Sequence, residues 1–511
     1  MRFARSLAVC ALAGVLAACK VGPNFTPPHP PVPDDYGGMK SAADVVSAPT
    51  PSTDSPASFW WREFRDPALD RLEERAAAGN LDLKAAFLRI VEAREQVQSA
   101  RAQGLPSLNA SASYSREQLG LAGIIKSQHI NEGATGSSSE AGLISALESP
   151  INLYQLGFDA SWELDLFGEV RRSVEVADAR STGAVESRND LLVSLEAEVA
   201  QDYFQLRAGQ VLRTIINDQI AAQREIFGLT QNRQQHGLAD EADVESARAQ
   251  WFTLRSELPP YEQSIATSRH ALAVLTGQPP EAMDADFGDS GDLPALPALP
   301  AVVPVGLPST LARRRPDIRQ SEAALHAATA QIGVSVASLF PDISLTGTFG
   351  LRNLSAGYLF DWDSKFYTFG PTISIPIFHG GALVSDVRLS RALAAEAALN
   401  YRKTVLNALE EVENGLTGLH QDAVRTASLR ETVTADQRAL DVDLDAYRHG
   451  LLTYITVLTV QIQMVQARQQ LAQALLTQNT DLVKLYKALG GGWEDAPENT
   501  DANHGRSGAG N

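Results

Sequence analysis

The chain carries one long helical hairpin twice, and this duplication limits the folds open to it more than any other feature. In the second half, the alternating run Phe369-Gly370-Pro371-Thr372-Ile373-Ser374-Ile375-Pro376-Ile377 leads through Gly380-Gly381 into a helix. Its apolar residues recur at Val405, Leu409, Val412, Leu416, Leu419 and Ala423, spaced by fours and threes. A turn falls at His449-Gly450-Leu451, and a return helix runs through Val457, Val460, Met464, Leu471, Leu482, Leu485 and Leu489. In the first half, Gly168 opens a helix lasting to about Gln235. His236-Gly237-Leu238 turns it, and the return ends at Thr276-Gly277. The two turns are 213 residues apart. Upstream, Leu81-Asp82-Leu83 matches Pro316-Asp317-Ile318 and Pro106 matches Pro341, both 235 residues apart. The loss of about twenty residues of offset places a longer loop in the first half, near Leu119 to Pro150. Each half reads helix, strand, strand, long helix, turn, helix. The repeats are assigned to 61–277 and 311–493, with a proline-rich connector at 278–310.

Helical periodicity begins at Asp66-Pro67 and runs to Gln103, where Gly104-Leu105-Pro106 breaks it. Strand patterns follow. Leu108, Ala110, Ala112 and Tyr114 alternate with Asn109, Ser111, Ser113 and Ser115. Tyr154, Leu156, Phe158, Ala160, Trp162 and Leu164 alternate with Gln155, Gly157, Asp159, Ser161, Glu163 and Asp165. Ile343, Leu345, Gly347, Phe349 and Leu351 alternate with Ser344, Thr346, Thr348, Gly350 and Arg352. Period two with one apolar face is a strand signal, and each run is about the 9–11 residues that cross a bilayer. In the second repeat, Arg313-Arg314-Arg315-Pro316-Asp317 opens a helix, with Pro suited to its first turn and Asp to the positive end of its dipole.

The N-terminus reads as a bacterial export signal. Arg2 and Arg5 supply positive charge, and the apolar run Leu7 to Ala17 is too short for a good membrane-spanning helix. Leu16-Ala17-Ala18-Cys19 resembles a lipoprotein signal peptidase site, which assigns 1–18 to a signal peptide and Cys19 to a lipid anchor. Cys10 leaves with the signal, so neither of the two cysteines is available for a disulfide or a metal. Lys20 after the acylated cysteine is compatible with the outer membrane. Residues 19–60, rich in Pro, Ser and Gly, form an extended tether. No later apolar run reaches the roughly 18 residues of a spanning helix, so a membrane crossing requires a β-barrel. The acidic tail 494–511 reads as disordered.

The formal charge of −18 disfavours a nucleic-acid partner. No phosphate-cradling glycine loop, CxxC or HExxH occurs, so no enzyme, cofactor or metal site is read. Two of the nine histidines, His236 and His449, fall in the duplicated turns, where the turn itself accounts for them. Glu410, Glu411 and Glu413 lie beside Leu409 and Val412 on a long helix and read as a solvated face rather than a carboxylate pair.

Four segments together are similar to the TolC-like outer membrane factor family, in its OprM/NodT-type lipoprotein branch. They are Cys19-Lys20-Val21-Gly22-Pro23-Asn24-Phe25, Leu311-Ala312-Arg313-Arg314-Arg315-Pro316-Asp317-Ile318, Phe340-Pro341-Asp342-Ile343, and Leu485-Tyr486-Lys487-Ala488-Leu489-Gly490-Gly491-Gly492-Trp493. The resemblance covers almost everything from Cys19 to Trp493. It implies an α+β membrane protein: a homotrimer whose subunits each give four strands to one twelve-stranded outer-membrane β-barrel, continued into the periplasm by an α-helical barrel. The length of the first long helix agrees, since 68 steps from Gly168 to His236 at about 1.5 Å each give roughly 100 Å.

The resemblance further implies a passive duct for small molecules, working with a periplasmic adaptor and an inner-membrane RND-type transporter. By this reading Gly237, Leu238, Ala239, Gly450, Leu451 and Leu452 are the adaptor-contacting tips, and Tyr447, Ile455 and Thr459 belong to the periplasmic gate. Ile455 keeps an apolar ring usual in the branch. Thr459 departs from the aspartate usual there, which puts cation block at that ring in doubt. The alternatives are the duct of a type I protein secretion or metal-ion efflux system, and a lipid-anchored periplasmic coiled-coil scaffold. Four bilayer-length alternating segments argue against the scaffold.

Overall fold

The computed structural model describes residues 20–29, 32–39, 49–118, 150–284, 286–287 and 296–494. Cys19, the signal segment 1–18, most of the loop expected near Leu119 to Pro150, and the tail beyond Glu494 lie outside the described residues.

The elements in chain order are β1 (Thr50–Ser52), α1 (Pro67–Gly79), α2 (Leu81–Ala102), β2 (Ser107–Glu117), β3 (Ile151–Glu163), α3 (Glu169–Gln235), α4 (Glu241–Leu275), β4 (Val302–Pro304), α5 (Pro308–Arg314), α6 (Pro316–Ala337), β5 (Asp342–Asn353), β6 (Lys365–Ser374), α7 (Ala382–Arg448) and α8 (Tyr454–Ala488). Short 3-10 turns, such as Trp60–Phe64, punctuate this order. The duplication is visible in helix lengths: α3 and α7 have 67 residues each, α4 and α8 have 35, and α2 and α6 have 22. One difference within this frame is Pro259-Pro260 inside α4, which removes two amide donors from a helix whose counterpart α8 has none missing.

The chain divides into two compact units. The first comprises 1–26, 93–180 and 325–396, and the second 27–92, 181–324 and 397–511. The first unit contains an antiparallel sheet of order β2-β3-β5-β6. Its register puts Ala110, Phe158 and Phe349 in line, and likewise Ala112, Leu156 and Leu351, so the apolar positions of neighbouring strands share one face. Phe349 opposes Tyr367, Gly347 opposes Phe369, and Ile343 opposes Ile373, extending that face across β6. Its large side chains are exposed, Phe369 by 80% and Leu108 by 69%. The other face is polar and cross-linked: Asp159 accepts from Ser111 (3.1 Å) and Thr348 (3.2 Å), and Gln155 accepts from Arg352. The fourth strand begins at Lys365 and ends at Ser374 rather than spanning Phe369 to Ile377, because pairing with β5 stops where Asp342 meets Ser374.

This unit closes a clasp around the start of the segment expected to be an extended tether. Glu175 binds Lys20 (2.5 Å), Arg172 (2.9 Å) and His326 (3.0 Å). Arg172, fully buried, also donates to the carbonyls of Val21 and Gly22 and to Asn24 Oδ1. Phe25 stacks on His326 with centroids 4.4 Å apart. Burial raises the Glu175 pKa, but the hydrogen bonds from Lys20, His326 and Arg172 outweigh it and hold the carboxyl at about 2.

The second unit holds the largest core, where Trp60 stacks on Tyr486 (5.2 Å) and Leu69, Phe204, Ile318, Val412 and Leu482 are buried together. The single helix expected from Asp66 to Gln103 is two. Asn80 accepts from the Leu83 amide (2.9 Å) to cap α2 and donates to the Leu275 carbonyl, competing with helix continuation. The tether contributes β1, which pairs in parallel with β4 of the connector.

Two of the three glutamates read as a solvated face have fixed partners. Glu413 accepts from the amides of Gly37 (2.6 Å) and Gly38 (2.8 Å), and Glu411 binds Arg315 (2.6 Å). Their partners lie far away in sequence, out of reach of a periodicity argument. Arg315 also grips Asp317 and donates to the Ala488 carbonyl, joining the Arg-Pro-Asp segment to the C-terminal glycine segment. Burial works against the guanidinium, but Asp317 and Glu411 keep it protonated.

Because the folded pKa of Glu175 lies below its unfolded value, its contribution to stability is present above the unfolded carboxyl range and lost as pH falls through about 2. The Val21 amide, which donates to the Phe167 carbonyl, should therefore keep its protection from hydrogen exchange well into the acid range. In Glu175→Gln it should lose that protection at neutral pH, with about 1–3 kcal/mol of local destabilisation. Unchanged protection in that variant would show that the clasp does not hold the segment.

Candidate functional site

The two hairpin turns are built alike from the helix ends upward. Gly237 (φ +76°) and Gly450 (φ +78°) take the left-handed conformation that stops a helix. The amides of Leu238 and Leu451 reach back to the carbonyls of Arg233 (2.8 Å) and Ala446 (2.9 Å), and those of Gly237 and Gly450 to Gln234 and Tyr447. His236 and His449 each set Nδ1 against the carbonyl four residues earlier, at 2.8 Å in both. Leu238 and Leu451 are left exposed, by 67% and 77%, while Ala239 and Leu452 are half-buried. Each turn thus presents one large apolar side chain on a closed backbone.

The residues expected to form a gate separate into two environments. Ile455 and Thr459 are exposed one turn apart on α8, and the Thr459 hydroxyl donates to the Ile455 carbonyl (2.8 Å). Tyr447 is instead buried in a polar knot. Its hydroxyl lies 3.2 Å from Thr230 Oγ1, which donates onward to the Ile226 carbonyl. Arg233 sits 4.6 Å above the Tyr447 ring and donates to the Tyr447 carbonyl at 2.7 Å. A second strut lies beside it. The buried amide of Gln223 donates to Tyr454 Oη and to the Ala247 carbonyl, both at 3.0 Å, and the Tyr447 and Tyr454 rings are 6.2 Å apart. Burial pushes the Tyr454 phenol up.

Gln223, Thr230, Arg233 and Tyr454 are the residues that sequence reasoning missed. A signal exists in the repeat itself. Shifted by 213 residues, Gln223 and Thr230 match Asp436 and Asp443, and Tyr447 and Tyr454 match Gln234 and Glu241. The knot occupies positions where the two halves differ, and conserved spacing cannot point there. Chemically the arrangement is a latch between α3, α4, α7 and α8, with no nucleophile or general base in it. Among the described residues, one group of three carboxylates is close enough for a shared cation: Glu163, Glu169 and Asp342, on the first unit.

Four substitutions test how the turn, α3 and the knot are held. Gly450→Ala should cost about 1–2 kcal/mol for a left-handed alanine. Gly228→Ala, inside α3 with open space around it, should gain up to about 1 kcal/mol. A double-mutant cycle of Thr230→Val with Tyr447→Phe should return a coupling of about 1 kcal/mol in unfolding measurements, and additivity would remove the latch.

The outer membrane efflux protein family matches residues 72–278 and 307–491. Among curated relatives, the toluene efflux pump outer membrane protein TtgC of Pseudomonas putida is 32% identical over 497 residues, covering 96% of this chain and 95% of that protein. Nodulation protein T of Rhizobium leguminosarum bv. viciae is 29% identical over 493 residues, covering 95% and 93%. Among solved structures, the outer-membrane channel OprN superposes with a TM-score of 0.81 at 30% identity, covering 94% of this chain and all of that one. The open-state MtrE outer membrane channel of Neisseria gonorrhoeae gives 0.74 at 27% identity, covering 93% and 99%. With matching helices, sheet and hairpin turns over nearly its whole length, this chain belongs to the outer membrane efflux protein family.

Proposed function

We propose that this protein is the outer-membrane channel of a tripartite efflux pump, a passive duct for small molecules delivered by an inner-membrane RND-type transporter through a periplasmic adaptor. The observation that carries the reading is the four-stranded sheet. It has one contiguous exposed apolar face, one polar face, and a partner on only one side of β2 and of β6 among the described residues. No helix among the described residues is long and apolar enough to cross a membrane. Backbone groups at the two open edges cannot face lipid unpaired, and four strands are too few to close on themselves. Three copies, β6 of one pairing with β2 of the next, make a closed barrel of twelve strands with lipid outside and water inside.

The remaining assignments follow from this one. Cys19 carries the acyl anchor after removal of 1–18, and the Lys20–Phe25 clasp holds the residues next to it. Gly237, Leu238, Ala239, Gly450, Leu451 and Leu452 meet the adaptor, with the exposed Leu238 and Leu451 as its apolar grips. A ring of Ile455 side chains closes the duct by packing and dewetting, and Thr459 adds no charge to it. Relatives include toluene, solvent and antibiotic efflux pump proteins, so amphiphilic or apolar small molecules are the cargo class proposed here.

A strain lacking the protein should accumulate a fluorescent dye, and the intact gene should reverse the rise. Phe349→Arg, on the apolar sheet face, should fail to reverse it and should lower the yield of outer-membrane trimer, since a mid-bilayer arginine costs about 2–4 kcal/mol. Wild-type assembly of that variant would overturn the lipid-facing assignment. In planar bilayers, Ile455→Ser should raise the conductance of the purified protein. Unchanged conductance would mean that the constriction lies elsewhere.

A further inference from the structure

The second unit contains a cavity of about 360 Å³ away from the hairpin turns, between α1, the start of α2, α3 and the C-terminal glycine segment. Phe59, Trp61, Ala77, Leu83 and Leu192 give it apolar and aromatic walls. Two carboxylates line it. Glu73, from α1, is 1% exposed, and neither of its oxygens has a hydrogen-bond partner among the described residues. Glu196, from α3, is 3% exposed, and its Oε2 is likewise unpartnered. Gly492 (φ +112°) lies against the Glu196 carboxylate, where a Cβ has no room, so the chain's glycine segment seals that side.

Two acids converging in an apolar chamber are costly unless something satisfies them. The charged groups around the pair are Asp70 and Glu74 on α1, Lys84 on α2 and Arg188 on α3. Lys84 donates to the Gly79 carbonyl (3.1 Å), and Arg188 acts on Glu196. Glu73 faces the two acids Glu196 and Asp70, and burial and that repulsion push its carboxyl well up. Calcium takes six to eight oxygens, and the chamber offers two carboxylates and hydrocarbon, so its chemistry does not suit a hard metal ion. It suits a cation with an apolar body, whose charge the acids neutralise and whose surface the indole and phenyl rings cover.

We propose that this cavity binds a compact organic ammonium ion, with its charged head at Glu73 and Glu196 and its hydrocarbon body against Phe59, Trp61 and Leu192. Binding exchanges a carboxyl proton for the ligand's charge, so affinity rises with pH while the amine stays protonated.

The test uses the full-length protein in a neutral maltoside detergent, with calorimetric titration of protonated N,N-dimethylbenzylamine and of its uncharged isostere, isobutylbenzene. Saturable binding of the ammonium alone, several-fold tighter at pH 8 than at pH 6, is the expected result. Glu73→Gln should weaken it at least about tenfold. Ala77→Phe, which fills the chamber from its wall, should abolish it, and Glu413→Gln, outside the chamber, should not change it. Equal binding of isobutylbenzene, displacement by Mg²⁺, or full affinity in Glu73→Gln would each overturn the proposal. If Glu73→Gln does not assemble, the wild-type comparison of charged and uncharged probes at the two pH values decides alone: charge-independent or pH-independent binding, or none, refutes it.

Discussion

Backbone hydrogen bonding at the two outer strands of the sheet is the constraint on which the other features depend. A β2 or β6 edge of ten or eleven residues, with no partner on its outer side among the described residues, is a standing liability in water and untenable in lipid. The polar face adds to this, because Asp159 and Gln155 are held by Ser111, Thr348 and Arg352 across three strands and suit a wet interior. The proposed closure with further copies of the same chain would answer all three features, the apolar face, the polar face and the two open edges.

A few buried ion pairs set the chain path in each unit. Glu175 gathers Lys20, Arg172 and His326, turning the residues after Cys19 from a free leash into a fixed strap. In the other unit Arg315 joins Asp317, Glu411 and the Ala488 carbonyl, so two motifs more than 170 residues apart become one structure. Each hub centres on one buried arginine, Arg172 or Arg315, with several acceptors. That is the geometry in which a buried charge is tolerated, because each guanidinium donor finds an oxygen.

Duplication explains the frame, and divergence explains the working parts. The helix-ending glycines at 237 and 450 are equivalent, as are the histidines beside them, and they make turns of one design. The knot of Thr230, Arg233, Tyr447, Gln223 and Tyr454 has no equivalent in the other arrangement of the halves, nor has Pro259-Pro260 in α4. The latch is an asymmetric feature on a near-symmetric scaffold.

Local patterns were enough for the sequence to determine the repeats, the strand faces, the long helices and their glycine turns, because periodicity and turn chemistry act over a few residues. The same locality explains its misreadings. Asn80 splits a helix by donating to Leu275, Glu413 caps the amides of Gly37 and Gly38, and the presumed tether pairs with Val302–Pro304, all through partners far along the chain. Tyr447, grouped with Ile455 and Thr459 by the family resemblance, is buried while they are exposed, because it sits in the last turn of α7, before the hairpin turn, where Thr230 and Arg233 of α3 cover it. The Glu73–Glu196 chamber left no trace in the sequence: its two acids sit 123 positions apart and read as ordinary helix charges until packing removes their water. What the sequence by itself determined were the elements and the faces they offer. Tertiary structure alone decided which distant groups meet and which are desolvated, because burial and electrostatics are properties of the packed chain rather than of any stretch of it.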